Sequence, residues 1–314
     1  MAPVAVVVCG EALIDRITSF DRTVAEVPGG GPYNTARALG RLGVPVAFAG
    51  NLSTDASGHL LKGGLAADGV DLSFVTFGRE PTTVAEAQLD RKGNATFRFA
   101  AAGTSAPNLM PAALRRGLGP EVKALHVGSL GLVLEPMAST LAALLAEEAG
   151  RRFVLLDPNI RPALIDEAEP YRKRIESAMK LSTMVKASDD DIAWLYPGLD
   201  RDGAARRILE LGPSLVVITL GAEGAAGYGA AMRAKVDALP CEVVDTVGAG
   251  DIFGAALLAW LHDRSALDLD PQLDEGGLEA ALGFACRAAC FTCGRPGAAM
   301  PTRADIAALS PSAD

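Results

Sequence analysis

A carboxylate that directly follows a glycine-rich run is the feature of this 314-residue sequence best suited to chemistry. Gly248, Ala249 and Gly250 carry almost no side chain, so a bound anion can approach their backbone N–H groups closely. The apolar stretch Ile252–Leu261 has the length and composition of a buried helix, and the start of a helix favours phosphate. Asp251 at this point suits two roles, a helix cap or the acceptor of a proton from an attacking hydroxyl. The second role, beside an anion cradle, is the arrangement that phosphoryl transfer requires.

A second glycine-rich segment, Pro28–Gly43, also precedes a helical pattern of small residues. Gly29, Gly30 and Gly31 allow the backbone to form the close wall of a pocket, and Asn34 offers both donors and an acceptor to sugar hydroxyls. Such glycines before a helix are also typical of a plain tight turn. This segment therefore supports a binding site only together with the first one.

Several classes of protein are excluded by charge and by missing motifs. The net charge of −9 disfavours a nucleic-acid partner, because an acidic surface repels phosphate backbones. No apolar run approaches the roughly 18 residues of a membrane span, and the N-terminus lacks the basic segment of a signal peptide. The phosphate loop of P-loop enzymes, the dinucleotide fingerprint and histidine-based metalloprotease motifs are missing too. We expect a soluble, cytoplasmic enzyme without a membrane partner.

The five cysteines give an odd number, and three of them cluster near the C-terminus. The spacing of Cys286, Cys290 and Cys293 places them on one face of a helix. A zinc site normally needs four ligands, and His262 is the only histidine nearby. We therefore expect reduced cysteines buried in an apolar helix, as is usual in a reducing compartment.

Strand-like and helix-like segments alternate along most of the chain, which predicts an α/β fold with a mostly parallel sheet covered by helices on both faces. The rhythm breaks at Thr82–Asp90 and Ala95–Ala100, two strand-like runs joined by a hairpin turn over Arg91–Asn94. Ile14–Phe20 is a further strand candidate. We interpret residues 1–314 as one α/β domain with a small, discontinuous β-lid formed by about 12–20 and 82–100. The half-apolar hairpin also permits a homodimer that forms through the lid.

Both glycine-rich segments resemble the two signatures of the ribokinase-like (phosphofructokinase B) carbohydrate kinases. The first signature reads GGGPYNTARALGRLG over residues 29–43 and the second reads DTVGAGDIFGAALLAWL over residues 245–261. The resemblance extends from Gly10-Glu11 to Arg295-Pro296-Gly297, and so covers nearly the whole chain. It implies a ribokinase-like fold and transfer of the γ-phosphoryl group of ATP to a sugar hydroxymethyl group, usually with Mg²⁺.

The resemblance also assigns roles to residues that match the family pattern. Asp251 is implied as the catalytic base, and the amides of Gly248, Ala249 and Gly250 as the anion hole. The implied sugar contacts are Asp15, Gly30, Gly31 and Asn34, and the implied nucleotide-binding turn contains Thr219, Gly221 and Gly224.

The chain departs from the family where many relatives carry an Asn-x-x-Glu motif that orders Mg²⁺ and phosphate. Here the corresponding residues are Ser188 and Asp191. Asp191 can replace the glutamate through a water, because Mg²⁺ usually keeps several waters. Asp245 matches one ligand position of the monovalent-cation site found in many relatives, whereas the C-terminal part of that site aligns poorly, which leaves K⁺ dependence open.

Local strings such as CGEALID at 9–15 and DPNIRP at 157–162 look most like fructokinases. The main alternative is 2-keto-3-deoxygluconate kinase, followed by ribokinase or a nucleoside kinase. Arg161 suits either ATP phosphate or a substrate carboxylate, and Arg98 on the lid hairpin is a further substrate-contact candidate. A non-catalytic sugar-binding regulator with the same fold is a different alternative, but such a protein is expected to have lost the carboxylate or the cradle, and both are intact.

Overall fold

The computed structural model describes residues 3–18, 24–89, 95–114 and 118–309, without the side chains of residues 87, 89 and 95–99. The strands are β1 (Val6–Cys9), β2 (Leu13–Thr18), β3 (Val24–Gly29), β4 (Val46–Ser53), β5 (Val75–Gly78), β6 (Val84–Leu89), β7 (Ala95–Ala100), β8 (Ala124–Gly128), β9 (Phe153–Asp157), β10 (Met184–Ser188), β11 (Leu215–Thr219), β12 (Ala225–Gly229) and β13 (Arg233–Val236). The helices are α1 (Gly31–Arg41), α2 (Ala56–Ala67), α3 (Pro111–Leu114), α4 (Met137–Glu148), α5 (Ala168–Met179), α6 (Asp189–Leu195), α7 (Arg201–Leu209), α8 (Ala249–Asp263), α9 (Glu275–Cys293) and α10 (Arg303–Ala308).

A large sheet runs through the middle of the molecule in the order β13-β12-β11-β10-β9-β8-β1-β4-β5. The pairs from β11 to β5 are parallel, and β12 and β13 extend one end in antiparallel fashion. Parallel strands covered on both faces are built from continuous apolar runs, and β1 (VVVC) is fully buried. The predicted α/β architecture is confirmed.

Two apolar clusters cover the two faces of this sheet. Val6 and Val8 point to the cluster made with α1, α2, α8, α9 and α10, whereas Val7 and Cys9 point to the cluster made with α4, α5, α6 and α7. The alternation follows from the two-residue period of a strand. Helix α8 packs between α1 and α9, and all of Ile252–Leu261 is buried. A helix that is apolar on all sides is stable only when it is surrounded by other elements. The neighbours of α8 therefore explain why the helix predicted after the glycines is buried.

A separate small sheet has the order β3-β2-β6-β7, with β2 and β6 parallel and the outer pairs antiparallel. Strands β2, β6 and β7 match the strand-like runs in the sequence. Strand β3 was not expected, because its residues VAEVPG carry a charge and end in Pro-Gly. The second sheet therefore includes 24–29 as well as parts of 12–20 and 82–100. The predicted turn at Arg91–Asn94 lies outside the described residues, as do Ser19 and Phe20.

The remaining predicted elements differ from the structure mainly at their ends. Helix α1 begins at Gly31, directly after the first glycines, because Pro32 fits the first turn of a helix. Among the described residues, no helix combines the length and apolar character needed to cross a bilayer.

Candidate active site

Asp251 lies in the first turn of α8 and is buried, with 8% of its surface exposed. The helix begins there because Gly248 adopts a left-handed conformation, with φ of 76°. A Cβ on Gly248 would lie 2.6 Å from Cβ of Ala298. Glycine is therefore required at this position on two grounds, its backbone conformation and the space available.

The amides at the start of α8 are not equivalent. The Ala249 N–H donates to the carbonyl of Thr246 at 3.2 Å. The Gly250 and Asp251 N–H groups have no acceptor within the part of the chain that the structure describes. Of the amides expected to form the anion hole, that of Ala249 thus already has a partner, whereas those of Gly248 and Gly250 have none among the described residues. The Asp251 amide was not predicted as part of the hole.

Asn34 in α1 joins the first glycine-rich segment to the second. Its side-chain amide donates to Oδ2 of Asp251 at 2.9 Å, and its own Oδ1 is buried without a partner among the residues that the structure describes. Gly31 also lies beside this carboxylate, because a Cβ built on it would be 3.2 Å from Oδ1 of Asp251. Gly30, with φ of 106°, leaves room for the carbonyl of Glu11, which a Cβ would approach to 2.9 Å. The predicted residues Gly30, Gly31, Asn34 and Asp251 therefore share one pocket.

The charge on Asp251 is controlled by its surroundings. Burial raises the pKa of its carboxyl group, and the hydrogen bond from Asn34 and the positive charges of Lys186 and Arg161 oppose that rise. Asn159 contributes a longer contact, from Nδ2 to Oδ1 at 3.4 Å. A buried carboxylate with a raised pKa is a better proton acceptor than a solvated one.

A buried ion pair lies next to the glycines at the start of α8. The Lys186 ammonium is 2.7 Å from Oδ2 of Asp157, and both side chains are 4% exposed. Burial raises the pKa of Asp157 to about 6, and Lys186 opposes that shift. The ammonium is 3.2 Å from the position that a Cβ on Gly250 would occupy. A fixed positive charge is therefore present beside the open amides.

Sequence reasoning did not identify Lys186 or Asp157 as site residues, nor Glu11, Asn159 and His126. Their side chains lie around this pocket, and some of their buried polar atoms find no partner among the described residues, namely Glu11 Oε2, Asp157 Oδ1 and both ring nitrogens of His126. Burial and Lys186 lower the pKa of His126 to about 3, so its ring is neutral. The available signal was positional for three of them, because Glu11 follows β1, Asp157 ends β9 and Asn159 follows β9, on the side where ligands bind in α/β sheets. His126 and Lys186 lie within β8 and β10 and gave no such signal.

Asp15 and Arg161 face the same group of carboxylates. Burial and the charge of Asp251 raise the pKa of Asp15 to about 6, and burial raises that of Glu11 to about 7. Arg161 lowers the pKa of all three carboxyl groups. Its guanidinium donates only to the carbonyls of Asn159 and Ile160 among the described residues. Arg98 pairs through its backbone with Glu86, and its side chain lies outside the described part of the structure.

Ser188 and Asp191 form a capping box at the start of α6. Oδ2 of Asp191 accepts hydrogen bonds from the Ser188 amide at 2.8 Å and from its hydroxyl at 2.7 Å, and Oδ1 accepts from the Ile160 amide at 2.7 Å. This gives both residues a structural explanation that the sequence did not suggest. Asp191 ties α6 to the segment that carries Asn159 and Arg161.

The predicted nucleotide turn and cation ligand lie at the edges of this site. Thr219 ends β11, and Gly221 and Gly224 form a short turn with φ of 57° and 96°. A Cβ on Gly224 would lie 2.0 Å from the carbonyl of Val236, so this turn packs against the chain after β13. Asp245 accepts hydrogen bonds from the amides of Val247 at 3.0 Å and Gly297 at 2.9 Å, and thereby joins the two loops around Gly248.

Comparison with known families decides the class of this site. The pfkB family of carbohydrate kinases matches residues 5–305. The chain belongs to this family. It is therefore an ATP-dependent carbohydrate kinase, and the resemblance stated from the two signatures is confirmed.

The most similar sequences and structures agree with that assignment. A fructokinase of Rhizobium leguminosarum bv. trifolii is 41% identical over 279 residues, which cover 86% of this chain and 85% of the relative. A fructokinase of Klebsiella pneumoniae is 32% identical, with 95% and 97% covered. Among solved structures, a fructokinase of Xylella fastidiosa with bound ATP superimposes with a TM-score of 0.90 at 24% identity, covering 97% of each chain, which confirms the ribokinase-like fold. A fructokinase of Vibrio cholerae O395, in a form with bound fructose, ADP and calcium ion, gives a TM-score of 0.86 at 26% identity, covering 98% of each chain.

Proposed function

We propose that this kinase phosphorylates a hydroxymethyl group of fructose with ATP. The observation that carries the proposal is the pocket in which buried Asp251 accepts a hydrogen bond from Asn34 beside the open amides of Gly250 and Asp251. The names of the relatives support fructose as the sugar, since the fructokinase of Rhizobium leguminosarum bv. trifolii shares 41% of its aligned residues with this chain.

In the proposed mechanism Asp251 accepts the proton of the attacking sugar hydroxyl. The amides of Gly250 and Asp251, at the positive end of α8, stabilise the charge on the phosphoryl group during transfer. Lys186 adds a fixed positive charge next to these amides, and its partner Asp157 keeps it in place. Because these groups are held by packing, little reorganisation is needed when the substrates meet.

The unsatisfied buried atoms of the pocket support a ligand with several hydroxyl groups. Asn34 Oδ1 and Glu11 Oε2 are acceptors that lack a donor within the described residues, and a sugar hydroxyl can donate to each of them. Asp15 lies on β2 at the rim of the pocket, where its carboxylate can accept a third hydroxyl. Leaving such buried acceptors empty costs free energy, which a polyol ligand recovers on binding.

Metal ions are proposed to enter with the nucleotide. Among the residues that the structure describes, no cluster of three or more His, Cys, Asp or Glu side chains could hold a metal ion. Mg²⁺ would bind the ATP phosphates and keep several waters, and Oδ1 of Asp191 has a free lone pair for one of those waters. Both carboxylate oxygens of Asp245 already accept hydrogen bonds from backbone amides. The role of Asp245 as a K⁺ ligand stays a prediction.

We further propose that the small sheet acts as a lid of the single domain and that homodimers form through it. Its strand β2 carries Asp15, and Thr82 at the start of the hairpin is fixed to Asp55 through hydrogen bonds of 2.8 Å and 2.6 Å. The hairpin is thus anchored at its base while its strands β6 and β7 extend from the body. Such an anchor suits a lid that excludes water during transfer.

The test is ATP-to-ADP turnover with Mg²⁺ on D-fructose, 2-keto-3-deoxygluconate and D-ribose at equal concentration, each combined with identification of the phosphorylated product. Preference for fructose supports the proposal and gives Arg161 a role towards ATP phosphate or in structure. Preference for the keto acid would overturn it and make Arg161 the clamp of the substrate carboxylate. Turnover of none of the three would contradict the proposal and favour a non-catalytic sugar-binding regulator or another sugar.

A further inference from the structure

Three cysteine side chains meet at the C-terminal end of α9, on the far side of the loop that leads to Gly248. Cys290 and Cys293 lie in the last turns of this helix and are partly exposed, whereas Cys241 is exposed and belongs to the segment after β13. The thiols of Cys241 and Cys290 are neighbours, and their interaction contributes to the raised pKa of Cys290. The sequence spacing suggested only a buried helical face, which holds for Cys286 alone. Cys241, which the helical spacing did not include, is therefore a neighbour of the helix from another segment.

The backbone fixes this arrangement independently of the thiols. The amides of Val244 and Asp245 both donate to the carbonyl of Cys293, at 2.8 Å and 3.2 Å. A Cβ on Gly294 would lie 3.7 Å from the carbonyl of Glu242. The segment 241–245 thus runs directly along the end of α9, and Cys241 at its start is brought to the helix.

The same segment is otherwise weakly held. Val243, Val244 and Val247 are 61%, 56% and 43% exposed, so the segment has few apolar contacts to keep it in place. It leads directly into Gly248 and the open amides of α8. A covalent link at Cys241 would consequently act on an exposed segment that leads directly into the site.

We propose that Cys241 and Cys290 are a redox-active thiol pair, which a low-molecular-weight disulfide such as oxidised glutathione converts into an intramolecular disulfide. The Cys241 thiolate attacks one sulfur of the oxidant, forms a mixed disulfide and releases one glutathione thiol. The Cys290 thiolate then attacks the Cys241 sulfur, forms the protein disulfide and releases the second glutathione thiol. Two protein thiols are oxidised, and the oxidant takes up their two electrons and two protons.

The order of the two steps follows from exposure and acidity. Cys241 is exposed and meets the oxidant first. Burial and the neighbouring thiols of Cys241 and Cys293 raise the pKa of Cys290 to about 11, with Arg295 opposing that shift. Only the thiolate is nucleophilic, so the second step is slow at neutral pH and accelerates as the pH rises. Cys9 is fully buried with its pKa raised to about 12, and it takes no part.

The consequence for catalysis rests on the proposed function. Fixing Cys241 to α9 pulls on the segment that leads into Gly248, and so displaces the open amides of α8 from the positions in which packing holds them. We expect the oxidised enzyme to lose most of its ATP turnover and to regain it with dithiothreitol. Disulfides in cytosolic proteins are usually reversible and redox-sensing, which agrees with such a role.

The experiment incubates the reduced, full-length protein with oxidised glutathione at pH 7 and pH 9 and maps its cysteines after digestion with trypsin and chymotrypsin. Chymotrypsin cuts after Phe291, so peptides that contain Cys290 and Cys293 separate. The expected product is a Cys241–Cys290 linked peptide that forms faster at pH 9. It should be missing in Cys241→Ser and in Cys290→Ser, and retained in the matched control Cys293→Ser.

Different outcomes of this experiment contradict different parts of the proposal. A dominant link through Cys293, or only a mixed disulfide on Cys241, would overturn the thiol pair. A Cys241–Cys290 link with unchanged turnover would overturn its effect on catalysis. A reduced protein that never phosphorylates fructose contradicts the proposed function instead, and the peptide map still decides the thiol pair.

Discussion

The side-chain amide of Asn34 donates a hydrogen bond of 2.9 Å to Oδ2 of Asp251, although 217 residues separate the two in sequence. This bond joins the helix that follows the first glycine-rich segment to the helix that follows the second. It also favours the charged form of the carboxylate that burial disfavours. One contact therefore fixes the position of the proposed base and its readiness to accept a proton.

Replacing the proposed base tests its role most directly. We expect Asp251→Asn to lower kcat by about 10²–10⁴ with little change in the KM values, because the amide keeps the shape of the side chain but accepts no proton. Steady-state kinetics with both substrates measure this, and Asp190→Asn on the exposed side of α6 is the matched control. A kcat within a few-fold of the wild type would show that another group takes the proton.

Removing the hydrogen-bond donor of Asn34 should shift the pH profile of kcat/KM. Asn34→Ala takes away a hydrogen bond that lowers the pKa of Asp251, so that pKa rises. The base must be deprotonated to act, and activity is lost as the pH falls through its pKa. The acid limb of kcat/KM against pH is thus expected at higher pH in the variant. Thr35→Val is the control, because the Thr35 hydroxyl donates to the main-chain carbonyl of Asp251, at 3.4 Å, and not to its carboxylate. A shift of equal size in both variants would contradict the assignment.

Breaking the buried ion pair should destabilise the protein in a pH-dependent way. Lys186→Met leaves Asp157 buried without its counter-charge, and we expect a loss of about 3–5 kcal/mol in the free energy of unfolding when Asp157 is ionised. The pKa of Asp157, already about 6 beside Lys186, rises further in the variant. As the pH falls below the pKa of the variant, the buried carboxyl group takes up a proton and the penalty shrinks, until it is gone below the wild-type pKa of about 6.

Urea unfolding at pH 5 and pH 8 measures this effect, with the larger loss at pH 8. The control is the double variant Lys186→Met, Asp157→Leu, which removes both charges and should recover much of the stability. Equal losses at the two pH values would mean that packing of the lysine stem, and not the lone carboxylate, governs the stability.

Gly248→Ala tests the left-handed start of α8. The backbone conformation alone costs an alanine about 1–2 kcal/mol, and its Cβ would meet that of Ala298 at 2.6 Å. The open amides of α8 must then shift, so kcat should fall along with stability. Gly283→Ala in α9 is the control: its Cβ would come no nearer than 3.6 Å to Arg287, and it is expected to gain about 0.5–1 kcal/mol. Thermal unfolding and kinetics of the two variants provide the comparison.

The lid proposal can be tested by shortening the hairpin without touching its anchor. Val84 and Ala100 are paired, so a short Gly-Ser linker can replace 84–100 and leave Thr82 and Thr83 in place. Sugar phosphorylation should fall sharply, while ADP released without sugar phosphate should rise relative to product. Both products are measured in the same reaction. An unchanged ratio of ADP to sugar phosphate would remove the water-excluding role of the small sheet.

The sequence was informative wherever one local pattern was enough. Buried strands such as β1 and β9 are short runs of apolar residues, and the two glycine-rich segments identify the helix starts at Gly31 and Gly248. Spacing alone could not show that α1 and α8 are neighbours, and their bond between Asn34 and Asp251 became visible only in three dimensions.

Contacts that depend on tertiary structure were missed. Lys186 lies in β10 (MVKAS), where in the sequence it resembles an ordinary polar residue within an apolar run. In the structure it pairs with Asp157 of the adjacent strand β9. Strand β3 lacks the alternation of a half-buried strand, because its first three residues are exposed at the edge of the small sheet. The thiol neighbour Cys241 likewise could not be inferred from the helical spacing of the other cysteines.

The position of β1 in the large sheet has a consequence for the synthesis of the protein. β1 leaves the ribosome before both strands that flank it, which are β4 on one side and β8, more than a hundred residues later, on the other. Until Ala124–Gly128 has emerged, a fully apolar strand keeps an unpaired edge, which is a site for association with other chains. Nascent chains of this kinase are therefore expected to depend on chaperones longest between the completion of β4 and that of β8.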